Sequence, residues 1–223
     1  MVDNLKLDNV TLVSMSSVHL DDTINAMKRS CDGIDYGDVV LITHETPDNL
    51  PEGFRIGRID RINSINEYSY NMIYKLGNYI NTDYALIVQA DGFVVNPSSW
   101  SNEFLDYDYI GAPFALPKDD FSYRDINGEI FRVGNGGFSL RSKKLINLAV
   151  ELDLEWKAFH GFYNEDGFIC AMNRHIYEGN GCKFAPLDVA KHFAHEANIP
   201  EISGIEPFGF HGKKKLNKYK QNV

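Results

Sequence analysis

The chain has 223 residues, of which 43% are hydrophobic and 24% charged, and its net charge is -9 at pH 7. That is a soluble globular composition. The acidic balance argues against a broad nucleic-acid footprint, and no run approaches the roughly 18 apolar residues of a membrane-spanning helix. The length suits one domain, expected over residues 1–212, with a basic tail at 213–223. The three cysteines Cys31, Cys170 and Cys182 are odd in number and far apart, and no CxxC occurs. This reads as buried thiols in a reducing compartment. The polar start (Met1, Val2, Asp3, Asn4) is not a signal peptide, so the expectation is a cytoplasmic protein.

In chain order, residues 10–14 form the first strand candidate. A helix follows over 20–31, with Asp21 and Asp22 near its start, where carboxylates suit the helix dipole. Ile24, Met27 and Cys31 are its apolar stripe. Residues 39–43 are the next strand, so the chain opens β-α-β, a unit that builds parallel sheets by right-handed crossovers. Residues 46–57 read as a loop and 55–62 as extended. A helix over 65–80, capped by Asn63 or Ser64, places Tyr68, Met72, Leu76 and Tyr79 on one face.

The stretch 83–93 organises the rest. Residues 84–88 are a short continuous apolar run, the pattern of a strand covered on both faces. It ends on Asp91 and Gly92, at the strand end where open α/β sheets bind ligands. Residues 93–95 continue extended, 100–105 make a helical turn, and 109–113 are a short strand. A long loop over 114–131 is rich in Pro, Asp and aromatics and reads as a flap. Gly134, Asn135, Gly136 and Gly137 then form a glycine loop, whose glycines permit positive φ and close approach to a ligand. A strand at 138–140, a helix over 143–152 capped by Ser142, the stretch 160–163 and a turn at Asn164, Glu165 and Asp166 follow. That turn opens a helix over 167–177. The chain closes with a strand at 183–186, a helical or mixed segment over 187–196, and Pro207, Phe208, Gly209, Phe210, His211 and Gly212. The basic cluster Lys213, Lys214, Lys215, Lys218 and Lys220 reads as a solvated tail, or as a peripheral contact for phosphate or an anionic membrane.

Each polar motif has an ordinary structural explanation. Asp91 can be a turn residue, the glycine loop a tight bend, and Glu165 and Asp166 a helix start that favours acids. His211 can be a satisfied structural histidine. Their order along an α/β chain says more than any one of them. It resembles the GT-A glycosyltransferases, which carry an acidic DxD turn at a strand end, a glycine-rich acceptor loop, an xED turn and a late histidine. The matching segments are 89–91, 133–139, 164–166 and His211. Residues 70–212 also resemble a family of small glycosyltransferases, through Asp91-Gly-Phe, Tyr109-Ile-Gly-Ala-Pro, the glycine loop, Lys183-Phe-Ala-Pro and Phe208-Gly-Phe-His-Gly.

The resemblance implies a single-domain, Rossmann-like α/β fold with a mixed, mainly parallel sheet flanked by helices. It implies transfer of a sugar from a nucleoside-diphosphate donor, UDP-linked, to a glycan or other hydroxyl acceptor. It also implies a divalent metal, Mn²⁺ or Mg²⁺, held by Asp91 and His211, because a hard cation offsets the charge of a diphosphate leaving group. Gln89 stands where the family pattern begins with a carboxylate, and can hydrogen-bond a sugar or ribose hydroxyl instead. Asp166 would be the general base, which implies inversion, with Glu165 as the runner-up or as a residue that positions the acceptor. Ser14, Asn71, Lys75, Gln89 and Asp91 would contact the donor, and Asn135, Gly136 and Gly137 the acceptor or sugar. Arg141 and Lys143 are further phosphate candidates. The alternatives from other classes are a sugar nucleotidyltransferase and a non-catalytic nucleotide- or glycan-binding module. The segment 14–18 lacks the glycine and basic residues that a nucleotidyltransferase would carry there.

Overall fold

The computed structural model describes residues 4–118, 123–156 and 164–220. The stretch 160–163 and part of the loop 114–131 lie outside the described residues. The elements are β1 (Leu5–Met15), α1 (Leu20–Ser30), β2 (Ile34–Thr43), β3 (Arg55–Arg58), α2 (Ile65–Tyr74), β4 (Tyr84–Ile87), β5 (Tyr109–Gly111), β6 (Ser139–Ser142) and α3 (Lys143–Glu151). They are followed by α4 (Glu165–Gly167), α5 (Arg174–Gly179), α6 (Leu187–Phe193), β7 (Ala194–His195), β8 (Gly209–Phe210) and α7 (Lys213–Lys220).

Six strands form one sheet in the order β3-β2-β1-β4-β6-β5. β1 pairs in parallel with β2 and β4, and β2 with β3. β6 runs antiparallel to both β4 and β5. The sheet is therefore mixed and mainly parallel, as the β-α-β opening implied. Strand side chains alternate faces, and the core divides accordingly. Leu12, Leu41 and Leu86 pack with Ile24 and Met27 of α1 on one face. Val13, Val40, Ile42, Ala85 and Ile87 pack with Met72 of α2 and Ile146 of α3 on the other. Both faces are covered, which is why these strands read as continuous apolar runs.

The helices start where side-chain caps are available. Ser64 accepts from the Glu67 amide at 3.1 Å, and a Glu67 carboxylate oxygen accepts from the Asn63 amide at 2.7 Å, a reciprocal cap. Ser142 accepts from the Leu145 amide at the start of α3. The helix expected over 65–80 ends early. At Lys75 φ falls to -118° and the chain tightens into a 3₁₀ turn, Leu76–Tyr79. The helix expected over 167–177 starts at Glu165 and passes through a π-type turn, Phe168–Met172, before α5. The strand expected at 183–186 reduces to one bridge between Phe184 and Tyr109.

The C-terminal third is held by aromatic packing. Phe193 packs against Phe104 and Phe138 with ring centroids 5.3 and 5.2 Å apart, and Phe208 packs on Trp100 at 5.1 Å. β7 and β8 pair with His195 opposite Phe210. The segment after β4 joins them, since Val94 bridges to Gly209 and the Phe210 amide donates to the Phe93 carbonyl. Residues 213–220, read as a tail, form the helix α7, whose Leu216 and Tyr219 pack on Phe93 and Phe210. Among the described residues no helix is long and apolar enough to cross a membrane. Cys31, Cys170 and Cys182 are free, the last two buried.

Gly209 is a tight joint in this region, because a Cβ there would lie only 2.1 Å from Cζ of Phe138. Gly209→Ala should therefore destabilise the protein by roughly 1–3 kcal/mol through overpacking. Urea denaturation checks this; a change near zero would mean that Phe138 has room to move.

Candidate active site

A cleft of about 390 Å³ opens at the C-terminal ends of β1 and β4, lined by the 14–19 segment, the start of α2 and the 89–91 turn. Ile62, Met15 and Tyr68 floor it, and the exposed side chains of Val18 and Ile65 stand at its lip. Gln89 and Gly92 exchange backbone hydrogen bonds at 3.1 and 3.0 Å, so the four-residue turn is closed on itself and Asp91 sits at its tip.

Two short segments, around His211 and around Glu196, bring their polar residues to this turn. The Gly212 amide donates to the Asp91 carbonyl at 2.9 Å, and the His211 amide to the His195 carbonyl at 3.0 Å. His211 and Glu196 are thus set beside Asp91 by backbone pairing. The His211 ring donates from Nδ1 to Glu196 Oε1 at 3.1 Å and from Nε2 to Gln89 Oε1 at 3.1 Å, with Asp91 Oδ1 3.4 Å from Nε2. Burial opposes a charge on this ring. The hydrogen bonds and charges of Asp91 and Glu196 outweigh that penalty and raise its pKa from 6.5 to about 9. In turn, the His211 bond holds the Asp91 carboxyl below its ordinary range.

The network continues in both directions. Gln89 Nε2 donates to the Tyr68 hydroxyl at 2.7 Å. The other Glu196 oxygen accepts from Asn135 Nδ2 at 2.7 Å. Asn135 begins the turn of the glycine loop, and the next two residues touch two different clusters. The Gly136 amide donates to Asp166 Oδ2 at 3.2 Å. A Cβ at Gly136 would overlap the Glu165 carboxylate, and one at Gly137 would overlap the His211 imidazole. None of Gly134, Gly136 and Gly137 has positive φ. The expectation that they serve left-handed backbone is corrected: they are glycines because protein side chains fill the space a Cβ would occupy.

Glu165 and Asp166 are adjacent but differ in environment. Glu165 is buried and pairs with the buried Arg141 guanidinium at 3.1 Å. Arg141, a phosphate candidate from sequence, is instead an internal partner, whose Nε donates to Ser139 Oγ. Asp166 keeps partial exposure. Its Oδ1 accepts from the Gly167 amide at 2.7 Å. Burial, and then the charge of Glu165, push its pKa up to about 7, within the range suited to a general base.

The other sequence candidates are distributed as follows. Ser14 lines the cleft, but its hydroxyl donates to the Val88 carbonyl at 2.8 Å. Asn71 and Lys75 line a different cleft, beyond α2, and do not join the one at Asp91. Asn135 holds Glu196. Two members of the network, Tyr68 and Glu196, had no sequence role. In the sequence Tyr68 is only one position on a helix face. Glu196 lay inside a segment read as helical or mixed, with no local pattern to mark it. The glycines were the usable signal, since a residue without a Cβ next to a polar motif implies that something packs there.

A family model described as a protein of unknown function, DUF5672, matches residues 54–211. No curated protein matches the sequence. Among solved structures, the chain is similar to a glycosyltransferase involved in the glycosylation of the major capsid of PBCV-1, with a TM-score of 0.51 and 10% identity. That match covers 96% of this chain and 99% of the other. A second similar structure is the apo-form glycosyltransferase GlyE in Streptococcus pneumoniae TIGR4, with a TM-score of 0.44 and 12% identity, over 91% of this chain and 54% of that one. At such identities the likeness is one of fold: the mixed, mainly parallel Rossmann-like sheet is shared with a glycosyltransferase.

The His211 charge makes a stability prediction. In the unfolded chain the ring titrates near 6.5 and in the folded protein near 9. A raised folded pKa gives stability that is fully present below the unfolded value and is lost as pH rises through the folded one. In chelator-treated protein, the stability difference between wild type and His211→Gln should shrink by up to about 3 kcal/mol between pH 6 and pH 10. Chemical denaturation across that range measures it, and a flat difference would show that the ring is neutral when folded.

Proposed function

We propose that this chain, which belongs to the DUF5672 family, transfers a sugar from a nucleoside-diphosphate sugar to a hydroxyl acceptor. The observation that carries the proposal is the convergence of two chemical groups on adjacent glycines. The Asp91, His211 and Glu196 cluster meets Gly137, and the Asp166 carboxyl meets Gly136. Glycosyl transfer from such a donor needs two things: compensation for a departing diphosphate, and removal of a proton from the attacking hydroxyl. The two groups answer these needs separately. The cleft lip formed by Val18 and Ile65 suits the flat apolar faces of a nucleobase, with uracil as the proposed base.

Among the described residues no three His, Cys, Asp or Glu side chains are grouped to hold a metal ion, so a divalent ion of the GT-A kind would take two protein ligands here and the rest from the donor diphosphate. A metal-bound imidazole usually donates its far nitrogen to a carboxylate, which fixes the tautomer, and Glu196 stands in that place on Nδ1. Nε2 then faces Asp91 Oδ1 and Gln89 Oε1. Asp91 and His211 would hold the ion, and a mixed nitrogen and oxygen donor set suits Mn²⁺. When bound, the ion would offset the negative charge that develops on the diphosphate. To hold the ion His211 would have to give up its Nε2 proton, and the two carboxylates around the then neutral imidazole would leave the cluster negative, which favours a cation.

Asp166 acts as the base. Its carboxylate accepts the proton of the acceptor hydroxyl as that oxygen attacks the anomeric carbon, and a single displacement inverts the configuration. The Gly136 and Gly167 amides fix its orientation. Glu165, tied to Arg141, raises its basicity and anchors the turn rather than touching substrate. The membrane or phosphate contact of the basic segment now falls to the exposed lysines of α7, Lys213, Lys214 and Lys218.

Asp166→Asn should abolish transfer and leave UDP binding nearly intact. Turnover comparable to wild type would remove Asp166 as the base. In the wild type, the rate should rise with pH through about 7 and level off above it, because only the deprotonated carboxyl accepts a proton.

The metal has its own test. UDP should bind at least about tenfold more tightly with Mn²⁺ than with chelator, and Asp91→Asn should lose most of that gain. Isothermal titration measures both, and equal affinity in Mn²⁺ and chelator would take the ion out of the proposal.

A further inference from the structure

Tyr68 stands between the two chemical groups of the site and has no role in either. Its half-buried side chain lines the cleft of about 390 Å³ beside Gln89 and Asp91. The phenol oxygen accepts from Gln89 Nε2 at 2.7 Å, and Gln89 Oε1 in turn accepts from His211 Nε2 at 3.1 Å. The amide therefore fixes the phenol oxygen as an acceptor on that side. A phenol also has one proton to donate, and among the described residues no acceptor takes it. On the other side, α2 brings Tyr68 against α4, which carries Glu165 and Asp166. The charges of both carboxylates bear on the phenol. Burial, and then Glu165, push its pKa up, so the O–H stays protonated as a donor. The sugar of a nucleoside-diphosphate donor has to cross the same gap. Its anomeric carbon is bonded to the diphosphate at Asp91 and His211, and is attacked by the hydroxyl that Asp166 deprotonates. A phosphate oxygen placed at the phenol would meet Asp166 as a like charge. A neutral sugar hydroxyl meets no such repulsion and can accept the free proton.

We infer that Tyr68 contacts the transferred sugar directly: its phenol donates to a hydroxyl of that sugar while the Gln89 amide holds the phenol oxygen from behind. The inference rests on the glycosyltransfer reading and adds to it a residue that recognises the sugar rather than the nucleotide. A role confined to steadying Gln89, and through it His211, makes a different prediction, because it would act on the diphosphate and the sugar alike.

The test is isothermal titration of the full chain, with Mn²⁺ present, using UDP, UDP-glucose, UDP-galactose and UDP-N-acetylglucosamine. Wild type is compared with Tyr68→Phe, which keeps the ring in place and removes only the hydroxyl. At least one UDP-sugar should lose roughly tenfold in affinity in the variant. UDP, which lacks the transferred sugar, should stay within about twofold, and its retained binding shows that the variant is folded. Equal losses for UDP and the UDP-sugars would assign Tyr68 to Gln89 alone and overturn the inference, as would unchanged affinity for all three sugars. In both of those cases UDP binds the wild type and the glycosyltransfer reading stands. If the wild type binds neither UDP nor any UDP-sugar, that reading fails and this inference fails with it.

Discussion

The candidate site depends on two missing side chains. Gly136 and Gly137 pass between the Glu165–Asp166 turn and the His211 ring, and a Cβ on either would overlap one of them. The two turns come from segments far apart in sequence, and no shared sheet holds both. Their separation is set by the thickness of one peptide. Interiors pack densely enough that even a methyl group is felt, so the loop acts as a spacer of fixed width. Asn135 extends the same spacer by bonding Glu196, which in turn orients His211. The aromatic cluster around Phe138 and Phe208 holds the spacer against β8 from behind. Packing of the core and placement of the polar groups are therefore one constraint.

Charge is divided by the same loop. On one side Arg141 and Glu165 are both buried and neutralise each other. Breaking such a pair leaves a desolvated charge, which costs about 3–5 kcal/mol, although the intact pair adds little net stability. Its value here is local: with Glu165 fixed, its negative charge is a permanent neighbour of Asp166 and adds to burial in raising that pKa. On the other side His211 is surrounded by oxygens and is held cationic. Two adjacent residues of one loop thus border a carboxyl poised near neutrality and an imidazole held well above it.

Much of the fold was legible because its signals are local. The apolar runs 10–14, 39–43 and 84–88 are strands covered on both faces, and alternation sends Leu12 and Val13 to opposite cores. Ser64 and Ser142 announced helix starts through their caps. The errors occur where tertiary contacts override local pattern. Helix α2 stops at Tyr74, and Gly77 beyond it packs closely against Asn147 of α3. The lysines of α7 read as a tail, yet Leu216 and Tyr219 dock that helix onto Phe210. At the site, Asp91, Asp166 and His211 stood out as acids and a histidine next to glycines. Asn71 and Lys75 belong to a different cleft, and a helix face cannot say in sequence which cleft it borders. Glu196 carries no signal until β7 pairs with β8 and turns it toward His211.

Gln89 is the residue that the resemblance alone would count as a defect, and its contacts explain what an amide does there. One end donates to the Tyr68 hydroxyl and the other accepts from His211. A carboxylate could only accept, so it would need the Tyr68 hydroxyl to turn and donate. It would also place a third negative charge, with Asp91 and Glu196, around one imidazolium. With Gln89 the cluster carries one surplus negative charge rather than two. Coulombic attraction for a cation is correspondingly weaker, and so is repulsion of an arriving diphosphate. On the proposed reading, an ion held by Asp91 and His211 would supply the positive charge that a diphosphate requires. Gln89 holds the His211 Nε2 edge beside Asp91.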